Sequence, residues 1–278
     1  MDGEVAQLAA LAISANYRLA NPDDPMPWFA EQRAFATCGQ IGFRAAVKGR
    51  FGKLRHVPVA DTPSSWLELL EHAGVDRVVI NCTRLDQEPE PGEEVLPDRL
   101  MAGFAGGGSL WTMATHAPDG GALCWQAGWR AAFPEARDGR IWRAEYFAEP
   151  CLGARLQADV DQASAVLAAA LQDAISFATK NEYSRVAALF GSALELLETS
   201  RDPLDIARPP GPADTLSPSA RRLLFAGQRG WIFDNMGLWR DQDFSQALWR
   251  RYAEISEALY SAVTAAIVAA VNSSAVRP

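Results

Sequence analysis

At 278 residues, with 49% hydrophobic and 22% charged side chains, the chain has the apolar content to bury the core of one large domain or two modest ones. That excludes a disordered chain, which could not offset its ordering entropy, and a disulfide-stapled miniprotein. The formal charge of -8 creates a field that repels nucleic acid and anionic membrane, so neither DNA nor a membrane is an expected partner.

Residues 4–20 place Val5, Leu8, Leu11, Ala12, Ala15 and Leu19 at helical spacing, and Asn21-Pro22 ends that helix. From Ile41 the period becomes two, turns at Gly49-Arg50-Phe51-Gly52 and returns to Val59, which is the pattern of a β-hairpin. Thr62-Pro63 is an N-cap with proline at the first helical position. Trp66, Leu69, Leu70 and Ala73 form the apolar stripe, Gly74 the C-cap, and 77–82 a strand. An acidic, proline-bearing loop spans 86–98. Strands are then expected at 109–116, 122–130 and 140–147, the first two joined by a turn at 117–121.

After Pro150 the period changes again. Val160, Leu167, Leu171, Ala174 and Ala178 mark one helix, and Val186, Phe190, Leu194 and Leu197 a second. Pro203, Pro209, Pro210 and Pro212 interrupt the chain, and Ser217-Pro218 opens a third helix. A fourth is expected from about Phe244 to Ala270, capped by Asp243 with Gln246 three residues on. The expected fold class is therefore α+β: an antiparallel or mixed sheet with one or two helices over 1–150, then an all-α, four-helix bundle-like domain over 151–278.

Cys38, Cys82, Cys124 and Cys151 lie far apart with no Cys-x-x-Cys pair, so free buried thiols are expected, without metal or cofactor. The N-terminus lacks the basic region of a secretory signal, and the apolar run 262–271 falls short of the roughly 20 residues that span a bilayer. A cytoplasmic protein is expected. Among the 26 cations only Lys48, Lys53 and Lys180 are lysines, an arginine bias that fits GC-rich bacterial coding.

Three places invite a functional reading. The hairpin cations around Arg50 and Lys53 could contact RNA or phosphate, although an exposed turn explains them more simply. His116 and Asp119 flank a turn and are the candidate general-base pair, with ordinary turn chemistry as the competing account. The segment 230–241 is the least generic. Trp231 and Trp239 would anchor a partner while Asp234, Asn235, Arg240 and Asp241 supply polar contacts, or the same residues would cap and close helices. Trp111, Trp125, Trp129 and Trp142 would share one sheet face, as core or as platform. With three histidines and no recognisable catalytic motif, the expected function is a non-enzymatic module that binds a protein or its own copy. The alternative is an enzyme or small-molecule sensor with a pocket between the sheet's aromatic face and the helices.

Overall fold

The computed structural model describes residues 3–24, 33–48, 53–84, 96–103, 108–151, 156–200, 210–212, 215–233, 239 and 245–276. The fold is mixed α/β. Its elements are α1 (Glu4–Ala20), β1 (Cys38–Lys48), β2 (Leu54–Ala60), α2 (Pro63–His72), β3 (Arg77–Thr83), the short α3 (Asp98–Met101), β4 (Leu110–His116), β5 (Ala122–Ala131) and β6 (Trp142–Pro150). The helices α4 (Val160–Lys180), α5 (Ser184–Glu198), α6 (Pro218–Gly230) and α7 (Gln246–Asn272) follow.

Six strands form one mixed sheet in the order β2-β1-β6-β5-β4-β3. The hairpin β1–β2 and the meander β3–β6 are antiparallel, and they meet in a single parallel pairing of β1 with β6. α2 carries the chain from one edge strand to the other across a face of the sheet. Its start is built as the sequence implies: Thr62 accepts from the Ser65 N–H and the Ser65 hydroxyl accepts from the Thr62 N–H, a reciprocal cap, with Pro63 next. Ala73 is the C-cap itself, and Gly74 follows it in the left-handed region.

The face under α2 is an aromatic core. Phe43 stacks on Trp66 at 4.9 Å and on Tyr146 at 5.2 Å, and Trp125 meets Phe43 and Trp66 edge-on at 5.8 Å each. Trp111 and Trp125 are thus buried, whereas Trp129 and Trp142 are half-buried and pack against each other. The rings are core here, and the Trp125 N–H is satisfied by Thr115 Oγ1 at 3.2 Å.

α1 is buried from Val5 to Asn16, and its alanines allow close approach to β3, β4 and α7. Such a helix must satisfy every polar group it carries. Gln7 donates to the Ala34 carbonyl and to Cys38 Sγ and accepts from the Tyr146 hydroxyl. Glu4, in the first turn, has less help, and burial pushes its carboxyl up to about 7 from 4.5. Because its folded value exceeds its unfolded one, the associated stability is complete below about pH 4.5 and is lost as pH rises through 7. Glu4→Gln is expected to remove this slope, gaining about 2 kcal/mol on wild type between pH 4.5 and 7.5 in urea titrations at the two pH values.

The two sheet edges are protected differently. At β3, the Asn16 amide pairs with both the N–H and C=O of Val78, and the Asn272 amide does the same for Ile80, at 2.7–3.0 Å. Two side chains from α1 and α7 therefore replace the strand that is missing beyond β3. At β2 the edge carries exposed Lys53 and Arg55, with Pro58, which has no N–H to offer. Those hairpin cations serve as edge charges, and Arg50 lies outside the described residues.

α7 starts at Gln246 with Ser245 at the cap position and no side-chain cap bond; the expected cap, Asp243, lies outside the described residues. It is the one helix among the described residues with the length and apolarity to cross a membrane, and most of that stretch is buried. It packs against α4, α6, α1 and β3, so buried apolar residues of the sheet and of the C-terminal helices form one continuous cluster. Ser217 caps α6 by accepting from the Ala220 N–H.

One expectation about sulfur is overturned. Cys124 and Cys151 are joined in a disulfide, with Cα atoms 5.8 Å apart, and only Cys38 and Cys82 are free. The β5–β6 ladder brings the pair together: Cys124 lies opposite Glu149, and the Cys151 N–H bonds to the Ala122 carbonyl.

Candidate functional site

α7 sends Ile255, Leu259 and Val263 into the core at four-residue spacing. Beside them runs a second stripe, Trp249, Tyr252, Ser256, Glu257, Tyr260 and Ser261, in which every side chain is aromatic or polar. Both stripes are legible at helical spacing once the helix register is known. Apolar period finds the first and, of the second, only Tyr252, because the other members are polar or lie off the apolar face.

The second stripe gathers residues from α3, from the end of β3 and from the residue before β4. Trp249 packs on Tyr252 at 5.2 Å, and the Arg99 guanidinium from α3 lies 5.6 Å above the Tyr252 ring. Arg99, only 5% exposed, reaches Glu257 at 2.7 Å, while Arg84 at the end of β3 touches Glu257 at 3.4 Å and donates to Ser261 Oγ at 2.5 Å. One turn on, the Tyr260 hydroxyl donates to Ser109 Oγ, which donates to Asp98 Oδ2 at 2.7 Å. Burial of the desolvated Arg99 is thus compensated by a carboxylate and a ring.

α3 holds this arrangement in place, and Gly108 admits it. Gly108 adopts φ +81°, and a Cβ there would meet the Asp98 carbonyl oxygen at 2.9 Å. Gly108→Ala is expected to cost about 2 kcal/mol in urea denaturation, through a strained left-handed residue and a displaced α3.

The aromatic side of the site is closed by rings. Trp231 lies 6.4 Å from Trp111 and 6.0 Å from Tyr260, and Phe233 meets Tyr260 at 5.0 Å. Trp239 packs against Phe190 and Tyr252, donates its N–H to Ser256 Oγ at 2.9 Å, and accepts from the Tyr252 hydroxyl through its carbonyl. Trp231 and Trp239 are 8% and 4% exposed. Of the two readings of Trp231 and Trp239, anchors for a partner or rings that close helices, their burial makes both interior residues that fasten their segment to α7. Asp234, Asn235, Arg240 and Asp241 lie outside the described residues. What stands at the surface instead is Trp249, 42% exposed, followed by exposed Arg250 and Arg251.

His116 and Asp119 are not brought into a catalytic pair. Asp119 Oδ1 accepts from the Gly121 N–H at 2.9 Å, a local turn bond. His116 faces Arg77 across the β3–β4 ladder, and burial, then the Arg77 charge, hold its imidazole below the ordinary histidine range. His56 pairs with Glu149 on the sheet, and His72 Nδ1 contacts the Glu68 carbonyl at a helix end, so the three imidazoles are dispersed. Among the described residues no three His, Cys, Asp or Glu side chains could hold a metal ion. Burial drives the Cys82 thiol, next to Ser109, up to about 12, which leaves no thiolate for nucleophilic work.

No protein-family model, curated protein or solved structure matches this chain. The function must be argued from the site.

Proposed function

We propose that this is a non-enzymatic recognition protein that binds a partner protein through the outer end of α7, with Trp249 as the anchor and Arg250 and Arg251 beside it. The observation that carries the reading is the contrast among the tryptophans. Trp66, Trp111, Trp125, Trp231 and Trp239 are buried, while Trp249 is 42% exposed and is followed by exposed Arg250 and Arg251. Tryptophan and arginine dominate interface hot spots, the first through a large rigid ring and the second through a planar guanidinium with several donors. The ring is also held ready: it rests on Tyr252, which Arg99 and Trp239 fix in turn.

In this reading the chain is an α+β half, 1–150, followed by a four-helix bundle-like half, 151–278, that presents the recognition end. The rival, a small-molecule pocket between sheet and helices, is less well supported because Trp111, Trp231, Phe233 and Tyr260 occupy that junction.

A photo-crosslinking residue placed at Arg250 in the native host tests the proposal, with exposed Arg137 as control. The expected result is a discrete adduct at 250, absent at 137, and weakened roughly ten-fold by Trp249→Ala. Adducts equal at both positions, or indifferent to Trp249, would overturn it. An adduct of twice the chain mass would replace the partner by a second copy.

A further inference from the structure

The four cysteines divide into two chemically distinct pairs. Cys38 is buried under α1 and Cys82 is half-buried beside Ser109; burial raises both thiols, that of Cys82 to about 12. Cys124 and Cys151 are half-buried, adjacent across the β5–β6 ladder, and bonded to each other. Exchange chemistry needs a thiolate to reach a sulfur. The second pair is the one already joined, and a thiol raised by burial in the first pair is a poor nucleophile toward it.

The position of the bond gives it something to control. Cys151 is the first residue beyond β6, where the chain leaves the sheet on its way to α4. Its N–H makes the last bond to β5, at the Ala122 carbonyl, and Leu123 opposite Pro150 is the last pair of the ladder itself. Ladder ends fray, because each terminal bond is supported from one side only. A covalent tie from Cys151 to Cys124 pins this end. Without it, nothing covalent holds the exit of β6 against the start of β5.

We propose that Cys124 and Cys151 form a reversible redox latch that locks the exit of β6 in oxidising conditions and releases it in reducing ones, with glutathione as the exchange partner. In closure, the thiolate of one cysteine attacks glutathione disulfide, expelling one glutathione thiolate and leaving a mixed disulfide. The other cysteine thiolate then attacks the protein sulfur and expels the second glutathione. Two cysteine protons are released to solvent or taken up by the glutathione thiolates. The cysteine pair loses two electrons, and one glutathione disulfide becomes two thiols. The latch does not rest on the recognition reading and is tested without a partner.

The full chain is equilibrated in buffers of graded glutathione to glutathione-disulfide ratio, quenched with N-ethylmaleimide, and weighed intact. The expected result is a single two-label transition at Cys124 and Cys151, at ratios between those of oxidising compartments and of the cytosol. Cys38 and Cys82 should stay unlabelled. Hydrogen exchange of the reduced, folded protein should rise at least roughly ten-fold in the amides of 122–125 and at 151, and be unchanged in β3 and α7. The double variant Cys124→Ser/Cys151→Ser should reproduce that pattern without any reductant. A disulfide that survives cytosol-like glutathione, or that reduces only as the whole chain unfolds and all four cysteines label, would make the bond a fixed staple and overturn the proposal. Identical exchange in the oxidised and reduced proteins would overturn it equally.

Discussion

Trp239→Ala is expected to lower the unfolding free energy by about 4 kcal/mol, while Trp249→Ala changes it by less than about 1 kcal/mol. Trp239 is buried against Phe190, Phe177 and Tyr252, and its indole N–H is the donor to buried Ser256. Truncation leaves a ring-sized cavity that these rigid aromatics cannot collapse into, and it strands the Ser256 hydroxyl in an apolar setting. Trp249 is 42% exposed and surrenders far less burial when cut back. Urea denaturation of both variants measures the difference. The pair also separates structure from recognition, since the stable variant is the one expected to lose the crosslink. A Trp249→Ala protein as unstable as Trp239→Ala would place that ring in the core as well.

The second large effect is at the β3 edge. Asn272→Ala removes the amide that pairs with both the N–H and the C=O of buried Ile80. Each orphaned backbone group costs about 1–3 kcal/mol, so a loss of about 3 kcal/mol is expected in the same assay. Asn272→Asp should be at least as damaging, because it keeps one acceptor, loses the donor, and places a charge where the surroundings are apolar. Asn16→Ala should behave similarly at Val78, and the double variant should expose a strand edge prone to pairing between molecules. An unchanged midpoint for Asn272→Ala would mean that water replaces the amide at an open edge.

How much of this was legible in the residues varies with the range of the interaction. The reciprocal cap at Thr62 and Ser65, the proline at the start of α2 and the serine cap at Ser217 depend on neighbours three positions apart, and they stand as the sequence implies. The alternation of β1 and the helical period of α4 and α5 also suffice for element type, because burial of one face imposes a period. The site was only half legible. The segment around Trp231 and Trp239 drew notice for its density of rings, and its tryptophans do lie at the site, but facing inward. Trp249 carries no such signal, because nothing local distinguishes an exposed ring from a buried one at the start of an apolar helix. Similarly, spacing alone gave no reason to pair Cys124 with Cys151, whose 27-residue separation is bridged by strand register.

By itself, then, the sequence determined the local elements, the acidic balance and the poverty in histidine that argues against imidazole chemistry. These follow from propensity, period and composition, which act within a few residues or over the whole chain. The tertiary structure alone decided the parallel meeting of β1 with β6, the asparagine amides that finish β3, the disulfide, and which tryptophan faces water. Each of these is a contact between segments tens to hundreds of residues apart, selected by packing and by the need to pair every buried polar group, and no local pattern encodes it.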